Sequence, residues 1–207
     1  MKTRIIIVSL FVALLACIPV QANTTVQLEG PAGTGIGADL IFSYTGLSAT
    51  TGTINLSLSN VSSTSSDDLI ILTFNAPEGV TGASLTSSTN PWLFDFNHDG
   101  INAGGFGMFD AYLFLANGLE PGQTDSMTIG LTGTGLDEMT EMDFLSLLSV
   151  GGLQKSTLAV FENPAYFGFS YAIPTSGQQP VPEPATLLLF GCGIIGLGGL
   201  KRWQKKA

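Results

Sequence analysis

Ile54, Leu56 and Leu58 alternate with Asn55, Ser57 and Ser59 in the run TINLSLS. A two-residue period puts one set of side chains on each face of a pleated strand. The polar set here says that one face meets water. The same period recurs along the chain. TTVQLE sets Val26 and Leu28 against polar neighbours, and SMTIGLTG repeats the pattern. GMFDAYLFLA sets Met108, Asp110, Tyr112 and Phe114 against Phe109, Ala111, Leu113 and Leu115. LIILTF, from Leu69 to Phe74, is apolar on both faces and should be a central strand. ADLIFSY, Gly82 to Thr86, TLAVFE and YFGFSYAI supply further strands, with Phe167, Phe169 and Tyr171 on one face of the last. Gly, Pro, Asn and Asp clusters separate these runs every eight to twelve residues. One stretch breaks the pattern: Met139, Met142, Leu145 and Leu148 fall at helical spacing. Asp137 is the expected N-cap there, and Gly151-Gly152 the stop. The expectation is an all-β domain of two packed sheets with one short helix.

The ends differ in kind from the middle. Lys2 and Arg4 precede an apolar stretch from Ile5 to Leu15, and Val20-Gln21-Ala22 offers small residues for a cut before Asn23. That order predicts a signal peptide over residues 1–22 and an exported chain. A rival cut ahead of Cys17, which would then carry a lipid, remains open. The body is assigned to residues 23–173, long enough for a substantial core. Residues 174–181, rich in Pro, Gln, Gly and Ser, read as a linker.

Charge is divided sharply. The body holds fifteen acidic side chains against Lys155 alone, a balance of −14. Nucleic acid binding needs many basic contacts to phosphate, so that class is excluded. Peripheral binding to anionic lipid is disfavoured for the same reason. Divalent cations are compatible partners. The two cysteines, Cys17 and Cys192, both lie outside the body, so packing rather than a disulfide must hold it together.

Residues 182–207 have three parts. Pro182-Glu183-Pro184 is rigid and breaks a helix. An unbroken apolar run then opens at Ala185 and closes at Leu200. As a helix its sixteen residues span ~24 Å. That falls short of a hydrocarbon core of roughly 30 Å. Trp203 and the basic side chains can reach outward to make up part of the difference. Lys201, Arg202, Lys205 and Lys206 close the chain and should stay on the cytoplasmic side. The body would then sit across the membrane from them.

This tripartite tail resembles the PEP-CTERM sorting signal of Gram-negative bacteria, carried by Val181, Pro182, Glu183, Pro184, the Gly/Leu-rich span and the terminal basic cluster. The resemblance covers about the last 27 positions. It implies an exosortase-type membrane enzyme as partner, which recognises and processes the chain at Pro182-Glu183-Pro184. It also implies temporary anchoring in the inner membrane with a periplasmic body. Transfer to the cell surface or to extracellular polysaccharide follows. The body looks like the β-sandwich region of many such proteins, of immunoglobulin-like or cohesin-like kind. That likeness rests on Asn60, LIILTFNAPEGV, Trp92, Gly105-Phe106-Gly107 with Phe109-Asp110, and Leu119-Glu120-Pro121-Gly122.

Asp95-Phe96-Asn97-His98-Asp99-Gly100-Ile101-Asn102 is the best candidate site. Asp95, Asn97 and Asp99 place oxygens at alternate positions before a glycine, like the first half of a calcium loop. Position twelve is Phe106 rather than Glu, and an Asx-rich hairpin turn is the competing reading. Ca²⁺ is the one cofactor the sequence suggests. His98 is the only histidine, which rules out a multi-histidine zinc site. No G-x-S-x-G elbow is present. Asp67-Asp68 and Asp137-Glu138 read as solvated charges rather than a paired acid and base. A non-enzymatic protein is expected. Trp92 with Phe94 and Phe96 would stack on sugar rings if exposed, and would fill the core if not.

Overall fold

The computed structural model describes residues 23–63, 67–163 and 168–175. The expected signal peptide, Cys17, Phe167, Pro182-Glu183-Pro184, the run from Ala185 to Leu200 and the basic tail lie outside these residues. Ten antiparallel strands form the domain: β1 (Thr24–Glu29), β2 (Gly37–Ser48), β3 (Thr51–Asn60), β4 (Asp68–Phe74), β5 (Val80–Ser88), β6 (Leu93–Asn102), β7 (Met108–Leu119), β8 (Thr124–Gly133), β9 (Thr157–Asn163) and β10 (Gly168–Pro174). They make one sheet in the order β5-β8-β3-β2-β1-β10-β9-β4-β7-β6. The seam between β1 and β10 holds only two residue pairs, Leu28 with Pro174 and Glu29 with Ile173. The sheet folds over there into two leaves, β5-β8-β3-β2-β1 and β10-β9-β4-β7-β6.

The alternation in the sequence sets the core. Ile54, Leu56 and Leu58 of β3 face inward beside Leu40 and Phe42 of β2 and Met127, Ile129 and Leu131 of β8. Leu72 of β4, Leu113 of β7 and Phe161 of β9 come from the other leaf to the same cluster. Phe42, Leu40, Leu58, Leu72, Leu113 and Phe161 are fully buried. Burying such a side chain is worth about 1.5–3 kcal/mol. β4 lies between β7 and β9, as expected of an apolar-both-sides strand. Every pairing named here falls within one compact unit, Asn23–Val181, so that unit contains the partners its strands need.

The helix differs from expectation. It is α1 (Glu141–Leu145), five residues, preceded by a one-turn 3-10 helix at Leu136–Glu138. Thr140, not Asp137, starts it, its N–H and hydroxyl donating to Asp143 Oδ2 at 2.7 and 2.9 Å. The regularly spaced row is split: Met139 and Leu145 pack partly against the core, Met142 and Leu148 are exposed, and the fully buried residue is Phe144, against Phe42 and Tyr44. The reason is tertiary. The segment crosses one end of the domain, where Glu141 Oε1 accepts from Tyr44 N (3.2 Å) and the Leu136 carbonyl accepts from the Tyr44 hydroxyl. Those contacts fix its direction more strongly than helical period does. Among the described residues no helix is long and apolar enough to cross a membrane.

Candidate functional site

The two leaves present unlike outer faces. On the first, cross-strand register lines up Ser43, Asn55 and Thr128, then Ile41, Ser57 and Ser126, then Asp39, Ser59 and Thr124. Its polar groups pair with each other: Thr128 Oγ1 donates to Asn55 Oδ1 at 3.0 Å, and Ser59 Oγ lies 2.7 Å from Thr124 Oγ1. This is an ordinary wet face.

The outer face of the second leaf is apolar. One row runs straight across five strands: Tyr171, Val160, Ile71, Phe114 and Leu93. The next holds Leu158, Thr73, Tyr112 and Asp95. Tyr112 and Phe114 lie parallel, 6° between planes and 6.2 Å between centroids. Burial pushes the Tyr112 phenol above its ordinary pKa. Phe109, Leu158 and Val160 form a second small core on this side, half-roofed by Ile101, Ala103 and Phe106. Phe109 turns outward here although Ala111 and Leu113 turn inward, because the strand is irregular where β6 bulges against it. A depression of about 300 Å³ remains, floored by Ile71, Thr73 and Tyr112, walled by residues 101–104 on one side and by Phe169 and Tyr171 on the other. Phe169 and Tyr171 are 60% and 40% exposed.

The candidate calcium segment takes a different place. Residues 95–102 are not a turn between strands. They belong to β6, both limbs of which pair with β7, and Asn97 to Gly100 bulge out between Phe96 and Ile101. Asp99 adopts a left-handed backbone (φ 50°), which Asp tolerates better than most residues. Buried Asp110 holds the bulge. Its Oδ1 accepts from Asp99 N at 2.6 Å and lies 3.5 Å from His98 Nδ1, while its Oδ2 accepts from Ala76 N at 2.8 Å. His98 Nε2 lies 2.5 Å from the Val80 carbonyl, which ties the bulge to β5 of the other leaf. Asp95 Oδ1 accepts from Phe96 N at 2.9 Å and sits on the outer face across from Tyr112. Among the described residues no three His, Cys, Asp or Glu side chains are grouped to hold a metal ion. The arrangement brings the His98 ring and the Asp99 backbone N–H to the Asp110 carboxylate, and Asp110 was not singled out as their anchor by spacing.

Trp92 fills the core. It is 5% exposed, and its Nε1 donates to Asp125 Oδ2 at 2.7 Å. Phe94 and Phe96 pack partly against the same core. The aromatic surface therefore lies elsewhere, on β7 and β10.

A sequence profile of the PEP-CTERM protein-sorting motif matches residues 180–202. The chain thus carries a PEP-CTERM sorting motif at its C-terminal end. No curated protein matches the chain. Among solved structures, one described as biomass sensing modules from putative Rsgi-like proteins of Clostridium thermocellum, resembling a family 3 carbohydrate-binding module of the cellulosome, is similar. It shares 14% identity over 78% of this chain and all of that one, with a TM-score of 0.29. "The unique CBM3-" of Hungateiclostridium clariflavum shares 12% over 68% of this chain and 92% of that one, at 0.28. Likenesses this distant carry no argument about ligand.

Proposed function

We propose that this chain is an exported, non-enzymatic protein that a membrane-embedded exosortase-type enzyme recognises and processes at Pro182-Glu183-Pro184. The carrying observation is the sorting motif at residues 180–202. The order of parts supports the reading: a rigid triplet, then an apolar stretch that holds the chain in the inner membrane, then Lys201, Arg202, Lys205 and Lys206 on the cytoplasmic side. The protein is the substrate of that reaction, and Glu183 is its recognition residue. Its destination is the cell surface or the extracellular polysaccharide, with an immunoglobulin-like or cohesin-like body exposed there. In cells that possess the processing enzyme, Glu183→Ala leaves the full-length species uncut on immunoblots. Unchanged processing of that variant removes Glu183 from the recognition step.

A further inference from the structure

We propose that the outer face of the second leaf binds an uncharged polysaccharide chain, seated in the depression between β10 and residues 101–104. This goes beyond the sorting reading and does not depend on it. The starting point is the contrast between the two leaves. The first turns paired hydroxyls to water, as a solvated sheet should. The second turns out Tyr112, Phe114, Phe169, Tyr171 and Leu93, and its own loop roofs only part of them. Phe169 and Tyr171 stay open although Leu158 and Val160, on the neighbouring strand, are buried. A contiguous exposed apolar surface with a polar margin marks an interaction site.

Charge selects the occupant. No Lys or Arg lines the depression. Asp95 stands opposite Tyr112 and Glu162 opposite Phe169, so both acids share the face. The body around them carries fifteen acids and one lysine. An anionic polymer or an anionic membrane is repelled. A second copy would set two acidic bodies and two pairs of carboxylates against each other. A neutral pyranose chain meets neither objection. Its C–H faces lie on the aromatic rings, whose electron-rich faces attract such positive edges. Its hydroxyls donate to Asp95 and Glu162, while the Asn102 amide donates to ring or linkage oxygens. The size agrees as well. At ~4.8 Å per strand, the row from Tyr171 to Leu93 runs about 19 Å, which suits a polymer lying across the strands. The depression itself has the volume of a small-ligand site.

The test uses fragment 23–181, the compact unit, in affinity electrophoresis through gels containing neutral soluble β-1,4-glucan, β-1,3-glucan or galactomannan, with anionic alginate as control. At least one neutral gel should retard the fragment, and alginate should not. The double variant Phe169→Ala/Tyr171→Ala, whose side chains are largely exposed and whose one ring contact among the described residues is Tyr171 on Phe106 at 4.9 Å, should keep the wild-type circular dichroism. Its glycan affinity should fall at least about tenfold. The paired change Ser57→Ala/Ser126→Ala on the opposite leaf should leave binding intact. The proposal is overturned by no retardation in any neutral gel, by equal retardation of the double variant, or by stronger binding to alginate. It is also overturned if sedimentation shows a dimer that the double variant converts to monomer, because the face would then be a self-interface. The fragment lacks Pro182-Glu183-Pro184, so failure here leaves the sorting test untouched, and the reverse holds too.

Discussion

Asp125 shows how a single buried carboxylate can be made to pay its way. Burial pushes its pKa up, but donors from the Trp92 indole, Asn90, Thr89 and the Ser126 N–H outweigh that and hold it below the usual carboxylate value. A depressed native pKa contributes stability that is present above the unfolded value of about 3.9 and is lost as pH falls through the native value. Asp68 has the opposite sign. Burial, then the neighbouring carboxylates of Glu120, Asp67 and Glu162, raise its pKa. Its charged form opposes folding at neutral pH, and the penalty fades as pH falls through the raised native value. Urea melts at pH 7 should therefore show Asp125→Asn less stable than wild type and Asp68→Asn more stable. The Asp125→Asn deficit should shrink below about pH 4, towards the native value. Thr157 offers a third check. Among the described residues, its hydroxyl is the buried side-chain oxygen without a hydrogen-bond partner. Thr157→Val removes an unsatisfied group and keeps the shape, so thermal melts should show a gain of about 1 kcal/mol.

At the scale of elements, connections do as much as strands. Asn60 ends β3 fully buried. Its Nδ2 donates to the carbonyls of Asp67 (2.8 Å) and Leu119 (2.7 Å), and its Oδ1 accepts from Ser62 N (3.0 Å). One side chain thus ties the β3–β4 connection to the end of β7, on the other leaf. Asn60→Ala strands two carbonyls and an N–H and should cost about 3 kcal/mol in denaturant melts. Gly107 sets the wall of the depression. Its φ is 97°, and a Cβ would lie 2.5 Å from the Gly151 carbonyl, where the chain crosses beside the Met108–Val150 bridge. Gly107→Ala should shift residues 101–107 and cost about 1–3 kcal/mol, read by thermal melting. The strands themselves were legible from alternation: β1, β3 and β8 bury the side chains that the two-residue period marks. The β6 bulge was not. Asp, Asn and Asp at alternate positions before a glycine fit a turn, a calcium loop or a bulge equally well locally, and the bond from Asp99 N to Asp110, eleven residues on, forms only in the fold.

At the scale of the whole domain, the weakest join among the described strands is the seam. β1 and β10 share two residue pairs, supplemented by Thr175 N donating to the Gln27 carbonyl at 3.1 Å. Local opening starts where few paired groups must separate. Hydrogen exchange should therefore be faster for the seam-facing amides of Glu29, Ile173 and Thr175 than for Leu56 or Leu72 in the interior strands. Uniform protection would show that the folded-over sheet opens only as a unit. The sequence alone determined the all-β class and the inward set of each half-wet strand, because a period of two is a property of the chain itself. It also determined the terminal sorting motif, which is linear and needs no partner to be read. Tertiary structure alone decided which face of the doubly apolar β4 and β7 meets the core and where the surplus aromatics emerge. Both faces of such strands look alike in sequence, and only the leaf packed against them, far away along the chain, removes one from water.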